Sequence, residues 1–132
     1  MSDALKAVIL AVGSEMLAPT KTDTNSLFVT DTLNGLGIEV AYKAVVGDDR
    51  QELGAQVDLA LARHPILILT GGLGPTDDDI TREVVADRLG LRMTEDAAIV
   101  EAIRARFAVR GLSMPEVNRR QAMVPELSLI HI

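Results

Sequence analysis

Six consecutive apolar residues, Ala7-Val8-Ile9-Leu10-Ala11-Val12, constrain the fold of this chain more than any other stretch. They are far too few to cross a bilayer, which takes ~20. None of them offers a polar side chain to water, so both faces of the segment must be covered. A strand inside a parallel sheet, with helices on either side, meets that demand. Ile66-Leu67-Ile68-Leu69 is a second strand of the same type, and Pro65 ends whatever precedes it. Between the two, Ile38, Val40, Tyr42 and Ala44 alternate with Glu39 and Lys43, which predicts a half-exposed strand nearer an edge.

Helical periods fill the gaps. Leu27, Leu33 and Leu36 predict a helix ending at Gly35 or Gly37. Leu53, Val57 and Leu61 predict a second, opened by Asp49 or Arg50 and closed by His64-Pro65. A third runs from about Ile80 to Leu89 and stops at Gly90, and Ile99, Ile103 and Phe107 mark a fourth stopped near Gly111. The order β-α-β-α-β-α-α implies parallel pairing, right-handed crossovers and one α/β domain with helices on both faces of the sheet.

Composition removes several classes of function. The 132 residues suffice for one core, and 48% apolar content is too high for a disordered chain. Two Phe, one Tyr and no Trp leave no aromatic platform for stacking bases. Thirteen basic against 19 acidic residues give a net charge of −6, which argues against nucleic acid as a partner. The absence of cysteine excludes disulfides, a thiolate zinc site and a Cys nucleophile, and fits a reducing compartment. The early apolar run is too short for a signal peptide, Asp3 offsets Lys6, and Glu15 follows soon after. The expectation is a soluble cytoplasmic protein with no membrane partner. Two histidines, His64 and His131, argue against a His-ligated metal or a Ser-His-Asp triad.

In open α/β sheets, ligands bind at the carboxyl ends of the strands. The loop after the third strand reads Thr70-Gly71-Gly72-Leu73-Gly74-Pro75-Thr76-Asp77-Asp78-Asp79-Ile80-Thr81. Glycines there let the backbone approach an anion, and the following helix points its positive end at the same place. It is neither a P-loop nor a dinucleotide fingerprint, because it lacks Gly-Lys-Ser/Thr and the required Gly spacing. The plain alternative is a tight turn with Asp as helix N-cap. Two carboxylates ~6 Å apart repel by roughly 0.7 kcal/mol in water and ~3 kcal/mol at an effective dielectric near 20. In a cleft, the three aspartates would therefore call for a divalent cation such as Mg²⁺.

The loop Val46-Gly47-Asp48-Asp49-Arg50 adds two carboxylates, of which Asp49 is equally readable as a cap. The first loop, from Gly13-Ser14-Glu15-Met16 to Thr22-Asp23-Thr24-Asn25, is longer than a usual βα connection, and Thr24 or Asp23 can cap the next helix. Asn118-Arg119-Arg120-Gln121 reads as a solvated helix face, with phosphate contact as the alternative.

Taken in order, Gly13-Ser14-Glu15-Met16-Leu17, Asp23-Thr24-Asn25-Ser26, Val46-Gly47-Asp48-Asp49-Arg50, Leu69 to Thr81, and Asn118-Arg119-Arg120-Gln121-Ala122 resemble the N-terminal domain of the CinA (competence/damage-inducible) family. That domain belongs to the MoaB/Mog-like molybdopterin-binding superfamily. The resemblance runs from about residue 5 to Glu126, and Gly-Gly-Leu-Gly in place of Gly-Gly-Thr-Gly points to CinA within it.

The resemblance implies a three-layer α/β/α domain with a mostly parallel sheet, a nucleotide or pterin ligand at the strand ends, and a homo-oligomer, as a dimer. It implies ADP-ribose pyrophosphatase activity, the hydrolysis of a nucleoside diphosphate sugar. The alternatives are a molybdopterin adenylyltransferase and a non-catalytic nucleotide- or pterin-binding module. Asp79 and Asp48 would bind Mg²⁺ or another divalent cation, with Asp78 supporting catalysis. Thr70, Gly71, Gly72, Gly74 and Thr76 would hold the diphosphate, and Ser14, Glu15, Asp23 and Asn25 would contact ribose or base.

Two departures stand out. Ala18-Pro19-Thr20 replaces a Leu-Gly-Gln-like stretch of relatives. The resemblance also stops at Glu126, so the expectation is a family domain over residues 1–126, incomplete, followed by a non-family tail, Leu127 to Ile132. The tail's bland reading is a short final strand; the sharper one is a truncated reading frame, which a longer frame diverging after Glu126 would confirm.

Overall fold

The computed structural model describes residues 4–129. Asp3 and the tail residues Ile130, His131 and Ile132 lie outside the described residues. The chain divides into two compact units, residues 1–72 and 73–132.

The first unit is built on β1 (Lys6–Val12), whose residues from Ala7 onward are buried, Ala7 to Leu10 completely. β2 (Glu39–Val46) and β3 (Ile66–Thr70) pair with it in parallel, giving the order β2-β1-β3. The expected edge position of the alternating strand is observed: β2 is an edge, and its exposure alternates from Glu39 to Val45. Residues at alternate positions of β1 serve opposite faces. Ala7 and Ile9 pack with Leu33 and Val29 of α1 (Thr24–Gly35) and with Ile66 and Ile68 of β3. α2 (Arg50–Leu61) buries Leu53, Val57 and Ala60. The order β2-β1-β3 reverses direction after β2, so right-handed crossovers place α1 and α2 on opposite faces.

Helix ends follow side-chain chemistry. Asp23 caps α1 by accepting from the amide and hydroxyl of buried Ser26, and Asp49 caps α2 by accepting from the Glu52 amide at 2.9 Å. His64 lies beyond α2 with its ring edge-on to Tyr42, centroids 6.1 Å apart, as its structural reading anticipated.

The second unit contains α3 (Thr81–Leu89), β4 (Met93–Glu95), α4 (Ala97–Val109), a 3-10 turn (Glu116–Ala122) and β5 (Met123–Pro125). α3 ends at Gly90, in the left-handed conformation expected of a C-terminal glycine. β4 and β5 form an antiparallel ribbon that the sequence reading did not anticipate. Each is three residues long, below the length at which alternation is legible. Ala122 is fully buried and packs with Ile99 and Val100 of α4, while its carbonyl accepts from the Asp96 amide at 2.9 Å. Asn118-Arg119-Arg120-Gln121 lies in the 3-10 turn and is half-buried, so the expected solvated helix face is corrected. The described part of the tail forms no strand either: Leu127 has a left-handed backbone (φ 63) and Leu127 and Leu129 are exposed.

One glycine ties the loop after β3 to the central strand. Gly71 has φ +86, and a Cβ there would overlap the carbonyl oxygen of Val12. Gly71→Ala should therefore cost at least about 2 kcal/mol. Gly35 has open space around the same position, so Gly35→Ala should be neutral or stabilise by up to about 1 kcal/mol. Urea unfolding of the two variants checks the contrast.

Candidate functional site

At the carboxyl ends of β1 and β2, two loops are stitched together. The Gly13 amide donates to the Val46 carbonyl at 2.9 Å. Beyond it, the Ser14 amide donates to Asp48 Oδ2 at 3.0 Å, and the Asp48 amide donates to Ser14 Oγ at 3.0 Å. This reciprocal pair joins residues 34 apart in sequence. Gly47 permits it, because a Cβ there would stand 3.3 Å from both Ser14 Oγ and Leu17 Cδ1.

Glu15 folds its carboxylate back over Gly13, where a Cβ would come within 2.6 Å of Oε2. Asp23 is committed to Ser26, and Asn25 is exposed in the first turn of α1. Thr70 ends β3 opposite Ala11, and Gly71 and Gly72 follow with φ +86 and +65. The first unit thus brings Ser14 and Asp48 into contact. It gives Asp23 a capping role that the sequence also allowed.

The second unit holds the acidic turn, Leu73 to Ile80. Asp79 Oδ2 accepts from the Thr76 amide at 3.0 Å and from Thr76 Oγ1 at 2.7 Å. The Gly74 amide also bonds to this carboxylate, and a Cβ at Gly74 would overlap it. The Thr76 hydroxyl is the main reason the Asp79 carboxyl titrates below its ordinary value of 3.8; partial burial opposes this, and the backbone bonds and Arg82 reinforce it. Asp as helix N-cap is corrected here. Ile80 occupies the cap position of α3 without a side-chain bond, because Asp79 turns back to Thr76.

Two arginines brace this turn. Arg82 Nη1 donates to the Leu73 carbonyl at 2.8 Å, and its Nη2 donates to the Gly74 carbonyl at 3.5 Å and the Arg120 carbonyl at 3.1 Å. Burial pushes its guanidinium below the ordinary value. Arg120 Nη1 donates to the Pro75 carbonyl at 3.3 Å and Asp77 Oδ1 at 2.9 Å, and Nη2 to Glu83 Oε1 at 3.1 Å. Arg119 is spent elsewhere, on Glu95 of β4. The phosphate role considered for Arg120 thus meets a guanidinium already engaged with protein oxygens. Arg82 escaped the sequence reading altogether, because no local pattern marks a side chain whose partners are backbone carbonyls. Asp78 is exposed.

Among the described residues, no three His, Cys, Asp or Glu side chains gather as a cation site, and no helix is long and apolar enough to cross a membrane.

Comparison with known proteins fits this geometry into a family. Residues 8–126 match the family described as a probable molybdopterin binding domain. The chain belongs to this family. A CinA-like protein of Solibacter usitatus is 51% identical over 122 residues, 92% of this chain and 29% of that protein. The chain thus spans less than a third of such curated relatives. The crystal structure of CinA from Thermoplasma acidophilum superposes with a TM-score of 0.82 at 31% identity, covering 95% of this chain and 73% of that one. The MoaB molybdopterin biosynthesis enzyme of a Thermus species, at 21% identity, shares the fold with a TM-score of 0.60 over 92% of this chain and 79% of its own. The resemblance to the CinA N-terminal domain is therefore borne out, as is its α/β fold class.

The depressed Asp79 carboxyl has a signed consequence. A carboxyl whose folded value lies below its unfolded one contributes stability that is present above the unfolded value and lost as pH falls through the folded one. The stability difference between wild type and Asp79→Asn should be constant above about pH 5 and close as pH falls below 3.8. Urea unfolding of both proteins across that range measures it.

Proposed function

We propose that this chain binds a nucleotide-type diphosphate and hydrolyses a nucleoside diphosphate sugar such as ADP-ribose with the help of a divalent cation. The observation that carries this reading is Asp79, a carboxylate kept ionised on a glycine turn by Thr76 and the Gly74 backbone. A glycine-rich backbone after a parallel strand supplies amides for phosphate oxygens without requiring a lysine. In this reading Gly74 and Thr76 of the second unit orient the diphosphate; Thr70, Gly71 and Gly72 are the candidate contacts that the first unit offers. Ser14, Glu15 and Asn25 meet ribose or base, with Asp23 behind them.

Asp79 is the carboxylate proposed for Mg²⁺ in the second unit, with Asp78 supporting it; Asp48 is the acidic residue that the reading assigns to the first unit. When bound, the cation would neutralise phosphate charge and lower the pKa of a coordinated water. The reaction itself is attack of a water oxygen on one phosphorus, cleavage of its bond to the bridging oxygen, and proton transfer to the departing phosphate. ADP-ribose would give AMP and ribose phosphate. The family description, a probable molybdopterin binding domain, supports a pterin as ligand; the second reading is nucleotide transfer onto that pterin, in which ATP consumption would depend on added pterin. A homodimer belongs to the same proposal and is read by sedimentation.

Isothermal titration with ADP-ribose, with and without Mg²⁺, should show metal-dependent binding, with AMP released in the same samples. Asp79→Asn should lower turnover on the order of 10²-fold or more with the far-ultraviolet circular dichroism unchanged. Unchanged turnover would remove Asp79 from the reaction, and binding without AMP would leave a nucleotide-binding module.

A further inference from the structure

The acidic turn holds more negative charge than its own conformation can balance. Asp77, Asp78, Asp79 and Glu83 stand within seven residues, yet the turn closes tightly enough to exclude a Cβ at Gly74. Like charges so close should splay it open. Arg120 answers this from 37 residues beyond Glu83, with one planar guanidinium that reaches a carbonyl and two carboxylates.

We propose that Arg120 is a positioning residue for the Gly74–Asp79 turn. Its fork holds the Pro75 carbonyl and Asp77 together, and so fixes the backbone from which Gly74 and Thr76 grip Asp79. Its second branch keeps Glu83 away from that carboxylate. The inference rests on the reading of this turn as a phosphate and cation site, and it extends that reading to a residue that touches neither ligand.

Three observations support it. Arg120 is anchored at its root, since Ala122 at the end of the same 3-10 turn is locked into the α4 cluster and bonded to Asp96. The carbonyl of Arg120 also accepts from Arg82, whose other branch holds Leu73, so both limbs of the turn are tied to one short 3-10 segment. Asp77, finally, has a fully exposed side chain, and an ion pair of that kind adds little to stability. The bond from Arg120 to Asp77 therefore serves placement more than folding. Four carboxylates against two guanidinium groups leave the turn with a net charge of two minus, which one divalent cation would balance.

A lysine at this position keeps the charge but lacks the planar fork. The full chain should be compared as wild type, Arg120→Lys, Arg120→Gln and Arg110→Gln, the last being a control just beyond α4. Amide hydrogen exchange at Gly74 and Thr76, without ligand, should quicken about tenfold in both Arg120 variants and not in the control. The Mg²⁺ concentration giving half-maximal ADP-ribose turnover should rise about tenfold in the same two variants, as for other partners that orient a ligand from outside. Wild-type exchange at both amides in Arg120→Lys and Arg120→Gln would overturn the proposal, as would rescue of both readouts by lysine. If wild type neither binds nor cleaves ADP-ribose, the functional reading fails on its own, and the exchange data still decide whether Arg120 holds the turn.

Discussion

Burial of β1 on both faces is the constraint on which the first unit depends. Ala7 to Leu10 are wholly inaccessible to water, and both neighbouring strands pair with β1 rather than with each other. Truncating a side chain such as Leu10 would leave a cavity worth roughly 2–5 kcal/mol, a large part of the net stability of a domain this size. The strand also sets the geometry at its carboxyl end. Because the Val12 carbonyl occupies the space where a side chain of residue 71 would stand, the loop after β3 must start with glycine.

The second unit solves a different problem, which is how to hold in one conformation a polar turn that is buried only at its last residue, Ile80. The solution is directional bonding. Arg82 and Arg120 donate to carbonyls and carboxylates around the turn, and Thr76 closes it on Asp79. Individually these exposed bonds are weak. Their value lies in fixing positions, which is what binding and catalysis require of a site. Ser14 and Asp48 do the same for the loops of the first unit with two reciprocal bonds.

What the sequence disclosed follows the range of each interaction. β1 and β3 were legible because burial on both faces leaves an unbroken apolar run, and α1 to α4 because their spacing and terminal glycines are local signals. Asp49 was readable as a cap for the same reason. β4 and β5 were hidden, since three-residue strands carry no period and their pairing joins Met93 to Pro125 across α4. The turn was visible as glycine and aspartate, but the direction of the Asp79 carboxylate was not: composition cannot tell a cap aimed at α3 from a bond returned to Thr76. Arg82 stayed invisible because its partners are carbonyls, which every residue possesses.

The central claim is that the glycine and aspartate loops are where this chain meets its ligand. Nuclear magnetic resonance titration of the nitrogen-15-labelled chain with ADP-ribose and Mg²⁺ tests it residue by residue. The account predicts that the largest shifts fall on the amides of Gly71, Gly72, Gly74 and Thr76, with smaller ones at Ser14 and Asp48. Saturable shifts confined to residues outside these loops would contradict it.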